Sequence, residues 1–184
     1  MIRFAVVTGA AVLSVMVLCA TAGATSANAS SVPAPALGSY VAQVEKVRLP
    51  VNAMLEGTDP IIEAFNDHQV TPAQASLEMN NLEERFAGYV LAMQEILPSN
   101  KVLARANKPY ADTYYLEDNY LSTLASDLNE GDFENLPNTQ DQQRLYIIVW
   151  RTQMELLAKV DGVKLPADIQ QAGRGEIAPS LSGS

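Results

Sequence analysis

Four stretches of the chain carry apolar residues at alternating spacings of three and four, the period that brings side chains to one face of an α-helix. The first runs from Val44 to His68, the second from Ala75 to Ile96, the third from Tyr110 to Leu128 and the fourth from Leu145 to Val160. Short polar connections separate them. Four amphipathic segments of similar length predict an all-α fold, an antiparallel up-down-up-down four-helix bundle.

Residues that favour helix ends separate these segments. Thr71-Pro-Ala-Gln74 has the pattern of a capping box with proline at the first helical position, so the second helix is expected to begin there. Pro98-Ser-Asn100 ends that helix and permits only a tight reversal. Thr139-Gln-Asp-Gln142 has the pattern of a second capping box, and the fourth helix that follows it should close at Gly162. A short helical turn is expected over residues 166–172.

Prolines inside the first and third predicted helices indicate that both are kinked. Pro50 and Pro60 each remove a backbone donor, so a kink or break is expected, at Gly57 to Pro60 above all. Pro109 either bends the third helix or separates it from a turn over residues 101–107. The apolar pattern keeps its phase across Pro50 and Pro60, so the first helix should keep its direction.

The N-terminal residues have the composition of a secretory signal peptide. A short basic start precedes an apolar run from Phe4 to Cys19 and a small-x-small site at Ala27-Asn-Ala29. The run is shorter than the about 20 residues of a membrane-spanning helix, and an uncleaved anchor is the alternative. We therefore expect cleavage near Ala29 and a secreted or extracytoplasmic protein. The predicted organisation is a signal peptide (1–29), a flexible leader (30–38), the bundle with its C-terminal turn (39–172) and a polar tail (173–184).

Cys19 is the only cysteine, and it lies inside the apolar run. Leu18 occupies the preceding position, where a bacterial lipoprotein signal requires Gly, Ala or Ser, so removal on export is expected rather than lipidation. The mature chain would then have no cysteine and no disulfide. Its stability would come from packing alone.

The chain is acidic, with 12 basic and 21 acidic residues and a formal net charge of −9. Loss of Arg3 with the signal peptide leaves 11 basic residues against 21 acidic ones, a net charge of −10. The basic residues are scattered, which disfavours nucleic acid or an anionic membrane surface as a partner. The expected partner is a protein or a small ligand, with no membrane association after cleavage.

One acidic residue, Glu117, falls in the middle of the apolar arc of the third segment. With Leu128 level with Gln142 across the loop, an antiparallel register places Glu117 opposite Gln153, the polar residue at the centre of the fourth arc. Tyr114 lies one turn before Glu117, so these residues form a candidate polar core. It is either a buried hydrogen bond that fixes helix register or an internal site for a small ligand or metal.

The environment of Glu117 also predicts its titration. Removal from water disfavours a charged carboxylate, so the pKa of Glu117 should be raised unless an arginine reaches it. Arg144 and Arg151 of the fourth segment are the candidates. A raised pKa would follow from the structural and from the ligand-binding interpretation alike.

The sequence offers no catalytic motif. His68 is the only histidine, so neither a two-histidine metal site nor a di-iron site with two Glu-x-x-His motifs can form within one chain. A half-exposed His68 at the end of the first helix is expected. Phosphate loops, Gly-x-Ser-x-Gly and dinucleotide-binding motifs are absent from the sequence. We therefore expect no metal, no cofactor and no catalytic residues. An enzyme would need an internal cleft with two or more convergent titratable groups, and the helical pattern does not predict one.

The C-terminal string LPADIQQAGRGEIAPS, residues 165–180, resembles the end of small secreted bacterial proteins of unassigned function. The tyrosine-rich third segment and the Leu136-Pro137 loop are loosely similar to the same proteins. This resemblance implies an exported helical domain and supplies no activity and no site residues.

Together these patterns predict an exported, non-catalytic helical bundle that acts as a binding or structural module at the cell envelope or outside the cell. A partner surface would show an apolar patch around Tyr115, Phe133 or the C-terminal turn. The alternative is a small-ligand or metal carrier with an internal polar site at Glu117 and Gln153.

Overall fold

The computed structural model describes residues 32–174, and all regular structure in that range is helical. The helices are α1 (Ala34–Leu55), α2 (Thr58–Asn66), α3 (Pro72–Gln94), α4 (Lys101–Glu130), α5 (Gln140–Asp161) and α6 (Ala167–Gln171). The all-α prediction is confirmed. The signal peptide predicted over residues 1–29 and residues 175–184 of the predicted tail lie outside the described residues. None of the helices within the described range is long and apolar enough to cross a membrane.

The first predicted helix is two helices, and it starts earlier than expected. α1 begins at Ala34, inside the predicted leader, because Leu37 extends the apolar face of this helix and is fully buried. The chain continues helically through Pro50 and breaks at Glu56 and Gly57, close to the predicted position. A Cβ atom at Gly57 would lie 3.0 Å from the carbonyl oxygen of Met54, so glycine suits this tight junction.

Side-chain caps define the starts of α3 and α4. The capping box before α3 is confirmed: Thr71 Oγ1 accepts from the backbone N–H of Gln74 at 3.2 Å, and Gln74 Oε1 accepts from the backbone N–H of Thr71 at 2.9 Å. Asn100 Oδ1 caps α4 by accepting from the N–H of Val102 at 2.8 Å. α4 then runs without interruption through Pro109, so residues 101–107 belong to it and do not form a separate turn.

The second predicted capping box is wrong. Thr139 makes no side-chain cap to α5, and its Oγ1 instead donates to Gln143 Oε1 at 3.2 Å, one turn into the helix. The predicted end of α5 is confirmed, since Gly162 follows the helix in the left-handed conformation with φ of 66°.

α4 lies between α3 and α5 and packs against both, while α1 also contacts α3 and α5. Phe86 of α3 stacks on Tyr114 of α4. Two residues beyond the end of α3, the carbonyl of Ile96 accepts a hydrogen bond from Asn107 Nδ2, and Asn107 precedes Tyr114 by seven residues on α4. The contacts between these two helices therefore run in opposite directions.

The contacts between α4 and α5 also run in opposite directions along the two helices. Tyr110 of α4 stacks on Trp150 of α5 with ring centroids 4.1 Å apart. Glu117 lies seven residues after Tyr110 on α4, and its hydrogen-bond partner Gln143 lies seven residues before Trp150 on α5. In both contacts the two residue numbers have the same sum, which fixes the register at the level of the candidate site.

The arc predicted for the fourth helix is only partly buried. Trp150 lies on that arc and is fully buried, and Gln143, Met154 and Ala158 are also buried, whereas Leu145, Val149, Leu156 and Val160 of the same arc are exposed. α5 carries apolar residues on two sides, so periodicity alone does not fix which of them face the core. The indole of Trp150 is the largest fully buried side chain in the described range, and its burial favours the observed face.

A buried chain of hydrogen bonds ties α1, α4 and α5 together. Trp150 Nε1 donates to the hydroxyl of Tyr40 at 2.7 Å, and that hydroxyl donates to Asn107 Oδ1 at 2.9 Å. Asn107 Nδ2 continues the chain to the carbonyl of Ile96 at 2.9 Å. Each of these polar groups is thereby satisfied inside the core.

Candidate functional site

A cavity of about 470 Å³ lies among α1, the start of α2, α3, α4, the first turns of α5 and the C-terminal segment, defined here as residues 165–173. Its floor is buried and contains Tyr110, Tyr114, Glu117 and Gln143. Its mouth is exposed and includes Asn52, Glu56, Asp59 and Gln171. The volume is within the range of about 300–1,000 Å³ that small-molecule sites occupy.

Aromatic rings form one side of the cavity. Phe86 and Tyr114 stack with centroids 6.0 Å apart, and Tyr110 meets Tyr114 edge to face at 6.0 Å. Burial raises the pKa of Tyr110 to about 12 and the pKa of Tyr114 well above its ordinary value. Both hydroxyls therefore stay protonated at physiological pH.

Glu117 is the buried acid of the floor, with only 3% of its surface exposed. Its Oε2 accepts a hydrogen bond from Gln143 Nε2 at 2.8 Å, and its Oε1 is buried with no hydrogen-bond partner among residues 32–174. Burial raises the pKa of Glu117 to about 7, although the hydrogen bond from Gln143 lowers it. The predictions that Glu117 is buried and that its pKa is raised are confirmed.

Neither candidate arginine offsets the burial of Glu117. Arg151 donates to the carbonyl of Ala172 at 2.7 Å, and Arg144 donates to the carbonyl of Gly173 at 3.4 Å. Both therefore help to hold the C-terminal segment, which closes one side of the cavity.

The predicted pair of Glu117 and Gln153 is wrong. Gln153 is exposed on the outer side of α5, and Gln143 takes its place. The prediction assumed a direct reversal after α4, but the start of α5 at Gln140 lies level with Tyr120, well before the end of α4 at Glu130. The loop over residues 131–139 therefore runs back along α4 over about 10 residues, or about 15 Å. Phe133 anchors this loop through an edge-to-face contact with Phe65 at 6.1 Å.

Gln143 is the residue of the candidate site that the sequence did not reveal. Thr139 Oγ1 donates to its Oε1, which leaves Nε2 to donate to Glu117 and, at 3.3 Å, to the carbonyl of Thr113. The amide is thus held in one orientation. The available signal was its spacing of seven from Trp150, which places both residues on one face of α5.

Arg48 attaches the C-terminal segment to α1. Its buried guanidinium forms ion pairs with Asp168 and, at 3.2 Å, with Glu45, and also donates to the backbone carbonyl of Asp168 at 3.0 Å. Burial raises the pKa of Glu45 to about 7, and its hydrogen bond with Asp168 raises it further. Burial opposes ionisation of Asp168 as well, but the hydrogen bond from Glu45 and the charge of Arg48 lower its pKa overall.

Several titratable groups line the cavity, which the helical pattern did not predict. Among residues 32–174 they are one basic side chain, Arg48, and four acidic ones, Glu56, Asp59, Glu117 and Asp168. The apolar patterns of the helices did not predict the cavity, because its mouth is formed by the break between α1 and α2 and by the C-terminal segment. Within residues 32–174 no group of three or more metal-binding side chains is found.

The remaining candidate residues lie away from the cavity. His68 follows the end of α2, is exposed rather than half-exposed, and has a positive φ of 58°. Tyr115 points away from the core as predicted and is 52% exposed.

Comparison with protein-family models, with curated proteins and with solved structures finds no match to this chain. The chemistry of the cavity therefore carries the functional assignment.

Proposed function

We propose that this protein is a non-catalytic binding protein that holds a small molecule in the cavity above Glu117 and Gln143. The observation that carries this proposal is the buried Oε1 of Glu117, which lacks a hydrogen-bond partner among residues 32–174 in the floor of a cavity large enough for a ligand. An unsatisfied polar atom in the interior is unfavourable. A bound molecule that donates a hydrogen bond to this oxygen would offset that penalty.

The surroundings of Glu117 favour binding over catalysis. Acid–base or nucleophilic catalysis places a second reactive group within hydrogen-bond reach of the first. The partner of Glu117 is the amide of Gln143, which does not titrate. Glu56 and Asp59 stand at the exposed mouth, and the tyrosine hydroxyls of the floor keep their protons.

The alternative of a partner surface at Tyr115 and Phe133 has weaker support. Phe133 packs against Phe65, so this ring is committed to the fold. Tyr115 stays exposed, but a single exposed tyrosine is ordinary on a protein surface. The cavity is the feature that sets this molecule apart from a structural bundle.

Two further inferences complete the proposal. We infer that α1, α3, α4 and α5 form an antiparallel up-down-up-down bundle bent at Pro50 and Pro109, and the opposite directions of α3 and α4 and of α4 and α5 support it. We also propose that the protein acts at the cell envelope or outside the cell, because residues 1–29 have the composition of a signal peptide.

Native mass spectrometry of the protein purified from its own source tests the function. The wild-type protein should carry extra mass that disappears on denaturation, and Glu117→Gln should lose that mass while keeping its helical circular dichroism spectrum. Glu84→Gln is the matched control, because it removes the same charge from an exposed site on α3. A wild-type protein without bound mass, or a bound mass that survives Glu117→Gln, would sink the proposal.

A further inference from the structure

We propose that the ligand of this cavity is a small organic amine in its ammonium form, with the ammonium group on Glu117 Oε1 and an apolar body against Phe86 and Tyr114. This inference rests on the proposed function and names the chemical class of the ligand. Three properties of the cavity lead to it: its charge, the hydrogen-bonding capacity of its floor, and its aromatic side.

The charge of the cavity favours a cation. Four carboxyl groups and one guanidinium line it. The guanidinium of Arg48 is already engaged by Glu45, Asp168 and the backbone carbonyl of Asp168, so it is not available to an anionic ligand. The acids at the mouth, Glu56 and Asp59, are exposed and add negative potential along the route of entry.

The hydrogen-bonding capacity of the floor favours a donor. Gln143 Nε2 donates to Glu117 and Thr113, and Thr113 Oγ1 donates to the carbonyl of Tyr110 at 2.6 Å. These two donors are committed within the protein, and the hydroxyls of Tyr110 and Tyr114 can both donate and accept, so neither group selects against a donor. Glu117 Oε1, by contrast, is an acceptor without a partner in the described range. An ammonium group brings three donors and no acceptor, and its charge strengthens a hydrogen bond to a carboxylate.

The aromatic side suits the rest of such a ligand. Phe86 and Tyr114 lie at an interplanar angle of 19° with centroids 6.0 Å apart, and both line the cavity. Ring faces attract a cation within about 6 Å of the centroid and also accept an apolar body. Carboxylate and rings together therefore match a molecule with a cationic head and an apolar body.

Titration with three probes of similar shape tests the chemical class: phenethylamine, phenethyl alcohol and phenylacetate. Binding is followed near neutral pH by chemical-shift changes of the ring signals of Phe86, Tyr110 and Tyr114, which line the cavity. Phenethylamine should bind at least about tenfold more tightly than phenethyl alcohol, and phenylacetate should bind most weakly. Glu117→Gln should reduce the preference for the amine to about twofold or less, and Glu84→Gln should keep it.

The outcomes separate the class of ligand from the function. If the alcohol binds as tightly as the amine, or phenylacetate binds best, the assignment to amines is wrong while ligand binding stands. If no probe shifts the cavity signals and the native protein carries no bound mass, both proposals fail. Should Glu117→Gln not fold, Phe86→Leu replaces it: this variant keeps an apolar side chain but removes a ring face, so it should weaken the amine more than the alcohol. Equal weakening of both would overturn the assignment.

Discussion

The buried carboxyl of Glu117 makes the stability of the fold depend on pH. Its pKa is raised from 4.5 to about 7 by burial, whereas the unfolded chain keeps the ordinary value. Between these two pH values the folded state binds more protons than the unfolded state. The free energy of unfolding therefore falls as pH rises from 4.5 to about 7. Above about pH 7 the stabilisation from the protonated Glu117 is lost completely.

Glu117→Gln should remove this pH dependence, because a glutamine does not ionise. In urea unfolding of the ligand-free proteins, the stability of the variant relative to wild type should increase by about 2 kcal/mol between about pH 5.5 and pH 8. Arg48, Glu56, Asp59, Asp168, Tyr110 and Tyr114 line the same cavity and are retained in both proteins.

Glu84→Gln supplies the baseline for this comparison, since its stability relative to wild type should change little over the same pH range. A difference between Glu117→Gln and wild type that stays constant with pH would mean that Glu117 titrates normally in the folded protein.

At the scale of the helices, Tyr40 joins three elements through one hydroxyl. It accepts from Trp150 on α5 and donates to Asn107 on α4, and all three side chains are buried. Buried polar networks of this kind specify one arrangement of the helices around them when each member is satisfied. This network lies beside the Tyr110–Trp150 stack that sets the register at the cavity floor.

Tyr40→Phe should destabilise the fold by about 2 kcal/mol, because it leaves the indole N–H of Trp150 and Oδ1 of Asn107 without their partner. Equilibrium urea unfolding measures this change. Tyr115→Phe is the matched control: it removes the same hydroxyl from an exposed position on α4 and should change stability by less than about 0.5 kcal/mol. Equal effects of the two substitutions would show that the network contributes nothing.

The helices differ in how far the sequence determines their buried face. α4 carries one apolar arc, so its pattern correctly places Tyr114 and Glu117 in the interior. α5 carries apolar residues on two sides, and its predicted arc contains the buried Trp150 together with Leu145 and Leu156, which are exposed. The contacts of Trp150 with Tyr40 and Tyr110 decide which side faces the core, and the local period of the sequence does not contain these contacts.

The candidate site was predictable in part for the same reason. The burial of Glu117 follows from its own helix, but its partner depends on the register between two helices. That register depends on the path of the loop over residues 131–139, which is fixed by tertiary contacts such as Phe133 on Phe65. The cavity itself is formed by the break at Gly57 and by the docking of the C-terminal segment. Neither feature can be predicted from the apolar pattern of a single helix.

At the scale of the whole molecule, the C-terminal segment completes the cavity. Asp168, Ala172 and Gly173 line it, and arginines from α1 and α5 hold these residues in place. The segment is short and depends on few contacts, which is typical of regions that open locally at low free-energy cost.

Asp168→Ala should loosen this segment, because it removes the carboxylate that pairs with Arg48. The Asp168 side chain is 37% exposed, so solvent screening limits the contribution of this ion pair to stability to about 1 kcal/mol. Its loss should therefore raise the population in which the C-terminal segment is detached about fivefold. Limited trypsin digestion after Lys164 measures this increase as faster cleavage. Asp112→Ala, which breaks the exposed pair with Lys108 on α4, is the control and should be cleaved at the wild-type rate. Equal rates for both variants would contradict this role of Asp168.

A crystal structure of the protein purified from its own source, with no ligand added, would show whether a molecule is bound at Glu117. Difference density is expected in the cavity, with a donor atom of the bound molecule about 3 Å from Glu117 Oε1 and its body against the rings of Phe86 and Tyr114. A well-ordered cavity that contains only water, with Glu117 Oε1 satisfied by that water, would contradict the proposed function.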